Sequence, residues 1–223
     1  MKVDLYIFGT GELAKIAFSY FFDSLRYNLK GFIVDDDFFS QEISLFGKPV
    51  LKYSESLQLL LHDNVETFVA ISASRMNRDR EGVFAKLDRK GVTFASFVSP
   101  QAFISNSASI GRNVFIFEHN VIQNGVSIGD NTILWSGNHI GHQTSIGAHN
   151  FISSHVVISG YCALENNCYI GVNSTIIDHI KISNGTLVGA ASLIIKDTEE
   201  NSVYVGSPAK KIPGKDPFQV KLG

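Results

Sequence analysis

From Val98 to Ile194 every sixth residue is aliphatic, without an insertion: Val98, Ile104, Ile110, Ile116, Ile122, Ile128, Leu134, Ile140, Ile146, Ile152, Ile158, Leu164, Ile170, Ile176, Ile182, Val188 and Ile194. Neither the 3.6-residue period of a helix nor the two-residue alternation of a lone strand produces this pattern. A six-residue unit makes one flat side of a triangular coil, and three units close a turn. Residues 18 apart in the sequence therefore stack on one another, roughly 4.8 Å apart. The aliphatic residues fill the interior. The next position is often glycine (Gly111, Gly129, Gly141, Gly147, Gly171, Gly189), which predicts a glycine for the tight corner. Four residues after each aliphatic the side chain is small or β-branched in most repeats, as at Val114, Thr132, Cys162, Cys168 and Ser192, and this predicts a second inward slot. The expected fold of residues 98–198 is a left-handed parallel β-helix of hexapeptide repeats with five to six turns, an exception to the right-handed rule for parallel crossovers. Residues 199–223 are expected to form a C-terminal loop or tail.

Stacking makes surface position computable. Cys162 and Cys168 fall on the small inward slot and read as core thiols, not nucleophiles. Asn120 and Asn138 share that slot, 18 apart, and predict a buried amide ladder. His142 lies two residues after Ile140, with Asn124 one coil below it, Gly160 one coil above and Asp178 two coils above. A glycine stacked on a histidine leaves a notch in which a base sits beside a bare backbone N–H, an arrangement suited to acyl transfer. His119 and His155 flank Gly137 in the same way on another side, and His139 is expected near a corner. His62 ends a predicted helix and is expected at the surface.

Residues 1–97 lack the six-residue period and alternate strand with helix. Strands are expected at Val3–Phe8, Lys30–Val34, Pro49–Leu51, Thr67–Ser72 and Val92–Val98, and helices at Glu12–Leu25, Ser54–His62 and Arg78–Lys90. This implies a small parallel α/β sheet of Rossmann type. The turn Gly9-Thr10-Gly11 opens the first helix and is a candidate phosphate or nucleotide cradle, although Ala14 stands where a full fingerprint has its third glycine. Asp35, Asp36 and Asp37 follow the second strand, where ribose or base contacts usually sit, or else form a solvated loop. A module this short suits a mononucleotide better than a dinucleotide.

The 19 basic and 21 acidic residues leave a formal charge of −2, without the basic excess that a nucleic-acid partner requires. No apolar run is long enough to span a membrane. Two cysteines exclude a disulfide framework, and a cytoplasmic location is expected.

The order of α/β module, uninterrupted hexapeptide repeats and then VYVGSPAKKI at 203–212 resembles the bacterial sugar acyltransferases of the NeuD/PglD type. That resemblance implies an acetyl-CoA-dependent N-acetyltransferase acting on a UDP- or dTDP-linked amino sugar in surface-glycan or lipopolysaccharide biosynthesis, and a homotrimer with the coenzyme between subunits. It assigns the general base to His142 in ILWSGNHIGHQTSIG and the oxyanion donor to the N–H of Gly160 in VISGYC. It assigns the nucleotide sugar to Gly9, Thr10, Gly11, Asp35 and Asp36, and coenzyme A to Gly171, Gly189, Ala190, Ala191 and the Gly206–Lys210 segment with Pro208. The acidic partner of the base is replaced by Gln143, which can orient the ring without stabilising its charge. Asn138, His139 or a neighbouring subunit is the expected compensation. Arg75, Arg78 and Arg80, after the fourth strand, are expected either to contact a phosphate or to begin a solvated helix. Neither cysteine is expected to form an acyl-enzyme, and no metal is expected. The competing readings are sugar O-acetylation at the same site, a metalloenzyme resembling gamma-class carbonic anhydrases, and a non-catalytic solenoid.

Overall fold

The computed structural model describes residues 2–40 and 44–222. They form two compact units, one of residues up to Ser72 with Gly82–Ala95, the other of Ala73–Glu81 with everything from Ser96. The repeats begin where the sequence pattern begins, but the stretch 73–81 groups with them and not with the residues beside it in sequence.

In the first unit a sheet of order β3-β4-β2-β1-β5 is built from β1 (Val3–Phe8), β2 (Tyr27–Val34), β3 (Ser44–Leu45), β4 (Lys48–Lys52) and β5 (Val65–Val69). All pairings are parallel except the β3–β4 hairpin. Helices α1 (Glu12–Phe22) and α2 (Tyr53–Leu60) connect the strands, and α3 (Arg78–Asp88) contributes its later turns. Leu5, Ile7, Phe32, Ile33 and Phe68 are wholly buried in the sheet. β1 lies between β2 and β5, so the strand order reverses beside it, the place where open α/β sheets take ligands.

Several boundaries differ from expectation. α1 stops at Phe22, three residues early, because Ser24 N–H turns back onto the Phe21 carbonyl, leaving Leu25 91% exposed. β5 ends at Val69, and the strand expected over 92–98 is divided. Phe94 makes a single bridge to Thr67, whereas Phe97–Val98 is the first rung of the prism.

The second unit is a left-handed parallel β-helix. Its rungs are two-residue strands from β6 (Phe97–Val98) to β22 (Leu193–Ile194), each ending on one of the repeating aliphatic residues. Every rung pairs in parallel with the rung 18 residues away, as Val121 does with His139 and His139 with Val157. The rungs line up in three sheets. The first face carries the strands ending at Val98, Ile116 and Leu134 onward, the second those ending at Ile104, Ile122 and Ile140 onward, and the third those ending at Ile110, Ile128 and Ile146 onward. β23 (Val203–Gly206) extends the first face, and β24 (Ala209–Lys211) folds back on it antiparallel.

The corners depart from the glycine expectation. The left-handed backbone falls two residues after the expected glycines, at Asn113, His119, Gly125 and every sixth residue to Ala191, with φ from 54° to 77°. Most of these are Asn or His, and asparagine is among the residues that tolerate this region best. The glycines directly after the aliphatic residues serve a different need, the close approach of adjacent coils. A methyl at Gly129 would lie 2.6 Å from the carbonyl carbon of Gly147, and one at Gly171 2.5 Å from the amide nitrogen of Ala190.

The second inward slot is a hydrogen-bonding position as well as a small one. Thr132, Thr144 and Ser174 donate from their hydroxyls to the carbonyls of Gly147, Ser159 and Gly189, each 15 residues on. The Cys162 and Cys168 thiols do the same toward Ile177 and Ser183, and both are buried free thiols as expected. Burial pushes the Cys168 thiol up to about 12. Asn120 and Asn138 do not ladder amide to amide. Both donate to the carbonyl of Trp135 instead, because that acceptor lies at the turn between them.

Candidate active site

The three faces differ outside. The third presents Ser109, Ser127, Ser145, Ala163 and Lys181. The first presents aromatic and aliphatic side chains, of which Phe115, Ile133, Phe151 and Leu187 are buried. The second presents Phe103, 62% exposed, Val121, His139, Val157, 40% exposed, Thr175 and Leu193. Phe103 and Val157 are thus large apolar side chains left open on the second face.

His142 stands at the corner after this second face, exposed to solvent. Its imidazole lies against the α-carbon of Gly160 one coil above, where an added methyl would be 2.7 Å from Cε1 and 3.0 Å from either ring nitrogen. The Gly160 carbonyl accepts from His179 N–H, while its own N–H has no hydrogen-bond partner among the described residues. Tyr161 meets the imidazole edge to face at 5.1 Å and stacks in parallel on His179 at 5.0 Å. The offset of 18 thus brings the His142 ring and Gly160 together, as the stacking arithmetic expects.

The other expected partners of the base lie elsewhere. Gln143 has φ +56°, and its carboxamide is folded over Gly125 on the coil below. Asn138 is interior, with Oδ1 accepting from Val156 N–H. His139 points outward from the second face. Among the described residues the side chain within hydrogen-bond distance of the ring is Gln123, absent from the sequence expectations: its Oε1 is 2.9 Å from the His142 backbone nitrogen and 3.3 Å from Nδ1. Gln123 is 19 residues away, so stacking by 18 and adjacency in sequence both pass over it.

Gly171, Gly189, Ala190 and Ala191 form the corner after the first face, at the opposite edge of the second face from His142. Pro208 and Lys210 line a depression of about 380 Å³ with Lys196, Tyr204 and Lys211, and Gly206 N–H donates to Ser192 Oγ.

In the α/β unit, Gly9 has φ +119° and a methyl there would meet the Ala70 carbonyl oxygen at 2.8 Å, so the turn requires glycine. Gly11 is the N-cap of α1, with nothing within 4 Å of where a methyl would stand. Asp35 is paired with Lys86, whose ammonium also lies 4.0 Å from the Tyr53 ring centre. Asp36 accepts from Ser54 N–H at the start of α2, and the hydrogen bonding to Ser54 holds its carboxyl below the usual range. Both carboxylates therefore already have protein partners.

The arginine expectation needs correction at Arg80, whereas Arg75 and Arg78 are exposed around the start of α3. Arg80 is wholly buried, donating to the backbone carbonyls of Asn131 and Asn150, and burial pushes its pKa down to about 9. It is neither solvated nor open to a phosphate. Arg75 pairs with Asp79, and Arg78 lies over the Phe218 ring.

Residues 107–142 and 125–160 match the family model described as bacterial transferase hexapeptide (six repeats). A comparison of the sequence with curated proteins gives no match. Among solved structures, the fold is shared with perosamine N-acetyltransferase PerB of Caulobacter crescentus in complex with CoA and GDP-perosamine (23% identity, 94% of this chain and 97% of that one, TM-score 0.83). It is shared with the acetyltransferase domain of PglB from Neisseria gonorrhoeae (23%, 95% and 100%, 0.82). It is also shared with WeeI from Acinetobacter baumannii (20%, 93% and 99%, 0.79). Both units are thus common to the compared chains, in the same order and at nearly full length.

Proposed function

We propose that this chain is an acetyl-CoA-dependent N-acetyltransferase acting on a nucleotide-linked amino sugar. The observation that carries the reading is the exposed imidazole of His142 against Gly160, whose N–H is unspent. His142 takes the proton as the sugar amine attacks the thioester carbonyl. The Gly160 N–H holds the resulting oxyanion, where a preorganised donor contributes most. The new amide C–N bond forms as the C–S bond breaks, and the thiolate leaves with the proton from His142. Both thiols are buried, which supports direct transfer without an acyl-enzyme.

Similarity to PerB, solved with CoA and GDP-perosamine, supports the substrate classes. The lysines around the depression beside Pro208 suit the phosphates of coenzyme A. The Gly9–Gly11 turn at the α1 N-terminus suits those of the nucleotide, in a soluble, cytoplasmic enzyme of surface-glycan or lipopolysaccharide synthesis.

The working form is a homotrimer. The exposed apolar second face has His142 at one edge and the Gly171, Gly189–Ala191 corner at the other. Packing three such faces around an axis brings the base of one copy to the coenzyme corner of the next. The test is acetyl transfer from acetyl-CoA to a panel of GDP-, UDP- and dTDP-linked amino and hydroxy sugars, with His142→Ala alongside. A wild-type rate on an amino sugar that drops by about 10² or more in the variant is expected. Turnover unaffected by the substitution overturns the assignment.

A further inference from the structure

We infer that Gln123 is the positioning residue that sets the tautomer of His142, holding the proton on Nδ1 so that Nε2 is the basic nitrogen. The inference rests on the reading of His142 as the base, but its first test needs no activity.

Gln123 follows Ile122 on the coil below, and its Oε1 stands 2.9 Å from the backbone nitrogen of His142 and 3.3 Å from Nδ1. The two contacts determine one another. A backbone N–H only donates, so the carboxamide atom facing it is the oxygen, and the amide has one orientation. That same oxygen faces Nδ1 and only accepts. A ring nitrogen opposite an acceptor carries the hydrogen, so in the neutral ring Nδ1 is N–H and Nε2 holds the lone pair. Gln143, the neighbour in sequence, is occupied over Gly125 and takes no part in this contact.

During transfer the amine proton moves to Nε2, giving an imidazolium with both nitrogens protonated. The departing thiolate then takes the Nε2 proton, and Nδ1–H stays with Gln123 throughout. Being neutral, the carboxamide fixes the ring without competing for the proton, a different solution from a carboxylate beside the base.

The test is the side-chain 15N spectrum of His142 in the intact protein at a pH where the ring is neutral, with kinetics of Gln123→Met and Gln123→Glu. The wild type is expected to show a protonated Nδ1 and an unprotonated Nε2. Gln123→Met keeps the length but loses the acceptor, so it is expected to shift His142 toward the Nε2–H form. Its kcat is expected to fall about tenfold with KM values changed less than about twofold, the pattern of an interaction needed in the transition state. Gln123→Glu restores an acceptor and with it the Nδ1–H signature. A wild-type Nε2–H form, or an unchanged tautomer in Gln123→Met, overturns the inference. If Gln123→Met does not fold, the wild-type spectrum decides alone. An Nδ1–H wild type that acetylates no sugar supports the positioning role and overturns the acyltransfer reading instead.

Discussion

The imidazole of His142 rests on the α-carbon of Gly160, so close that a single methyl there would stand 2.7 Å from Cε1. Gly160→Ala therefore pushes the ring out of the notch while leaving both chemical groups in the chain. The proposed enzyme is expected to lose about 10² in kcat/KM, the cost of misplacing a catalytic group by about 1 Å. The far-UV spectrum and Tm should change little, because the ring is exposed and free to swing away. Steady-state kinetics beside thermal melting checks both.

In the proposed trimer the second face is the packing surface. Val157 is 40% exposed at the middle of that face, and a charge in the centre of a packed apolar interface is costly. Val157→Glu is expected to give monomers at micromolar concentration in sedimentation and to lose activity, while the wild type sediments as a trimer. Ser145→Glu on the polar third face is the control and should remain trimeric.

Close approach of coils fixes the glycines. Gly129→Ala puts a methyl 2.6 Å from the Gly147 carbonyl carbon, against backbone that cannot swing aside. A loss of about 2 kcal/mol is expected from such overpacking, read as a lower denaturation midpoint. Asn173→Gly, at an exposed left-handed corner, should cost less, since glycine meets that backbone without strain.

His149 links stability to pH. It sits in a corner column between Asn131, whose amide it contacts at 2.8 Å, and Asn167, which donates to Glu81. Burial lowers its pKa from the ordinary 6.5; the Glu81 carboxylate opposes this, the Arg80 guanidinium adds to it, and Asp130 opposes. The unfolded chain therefore binds a proton on His149 at a higher pH than the folded chain does. Its contribution is complete above pH 6.5 and is lost as pH falls from there through the folded value. Tm is expected to drop between pH 7 and 5, and less steeply in His149→Asn, which makes the column asparagine from 113 to 167. An equal slope in both proteins contradicts this.

Much of the prism was legible because its geometry is a sequence period. The 17 aliphatic positions name the 17 rungs from β6 to β22, the stacking of His142 under Gly160 follows from an offset of 18, and the two cysteines fall inside. Strand–helix alternation gave the first unit its class, while the hairpin β3–β4 and the early end of α1 escaped it.

What the chain's own pattern determined is the spiral and the column each side chain occupies, since a strict repeat converts residue number into height and side. Which way a long side chain turns on leaving its column was decided only in three dimensions. Gln143 folds down over Gly125, Gln123 reaches up to His142, and Arg80 buries its guanidinium against two carbonyls contributed from far along the chain. Periodicity locates a Cα, but a flexible polar side chain goes where a donor or acceptor is left open, and that vacancy exists only once the coils have stacked.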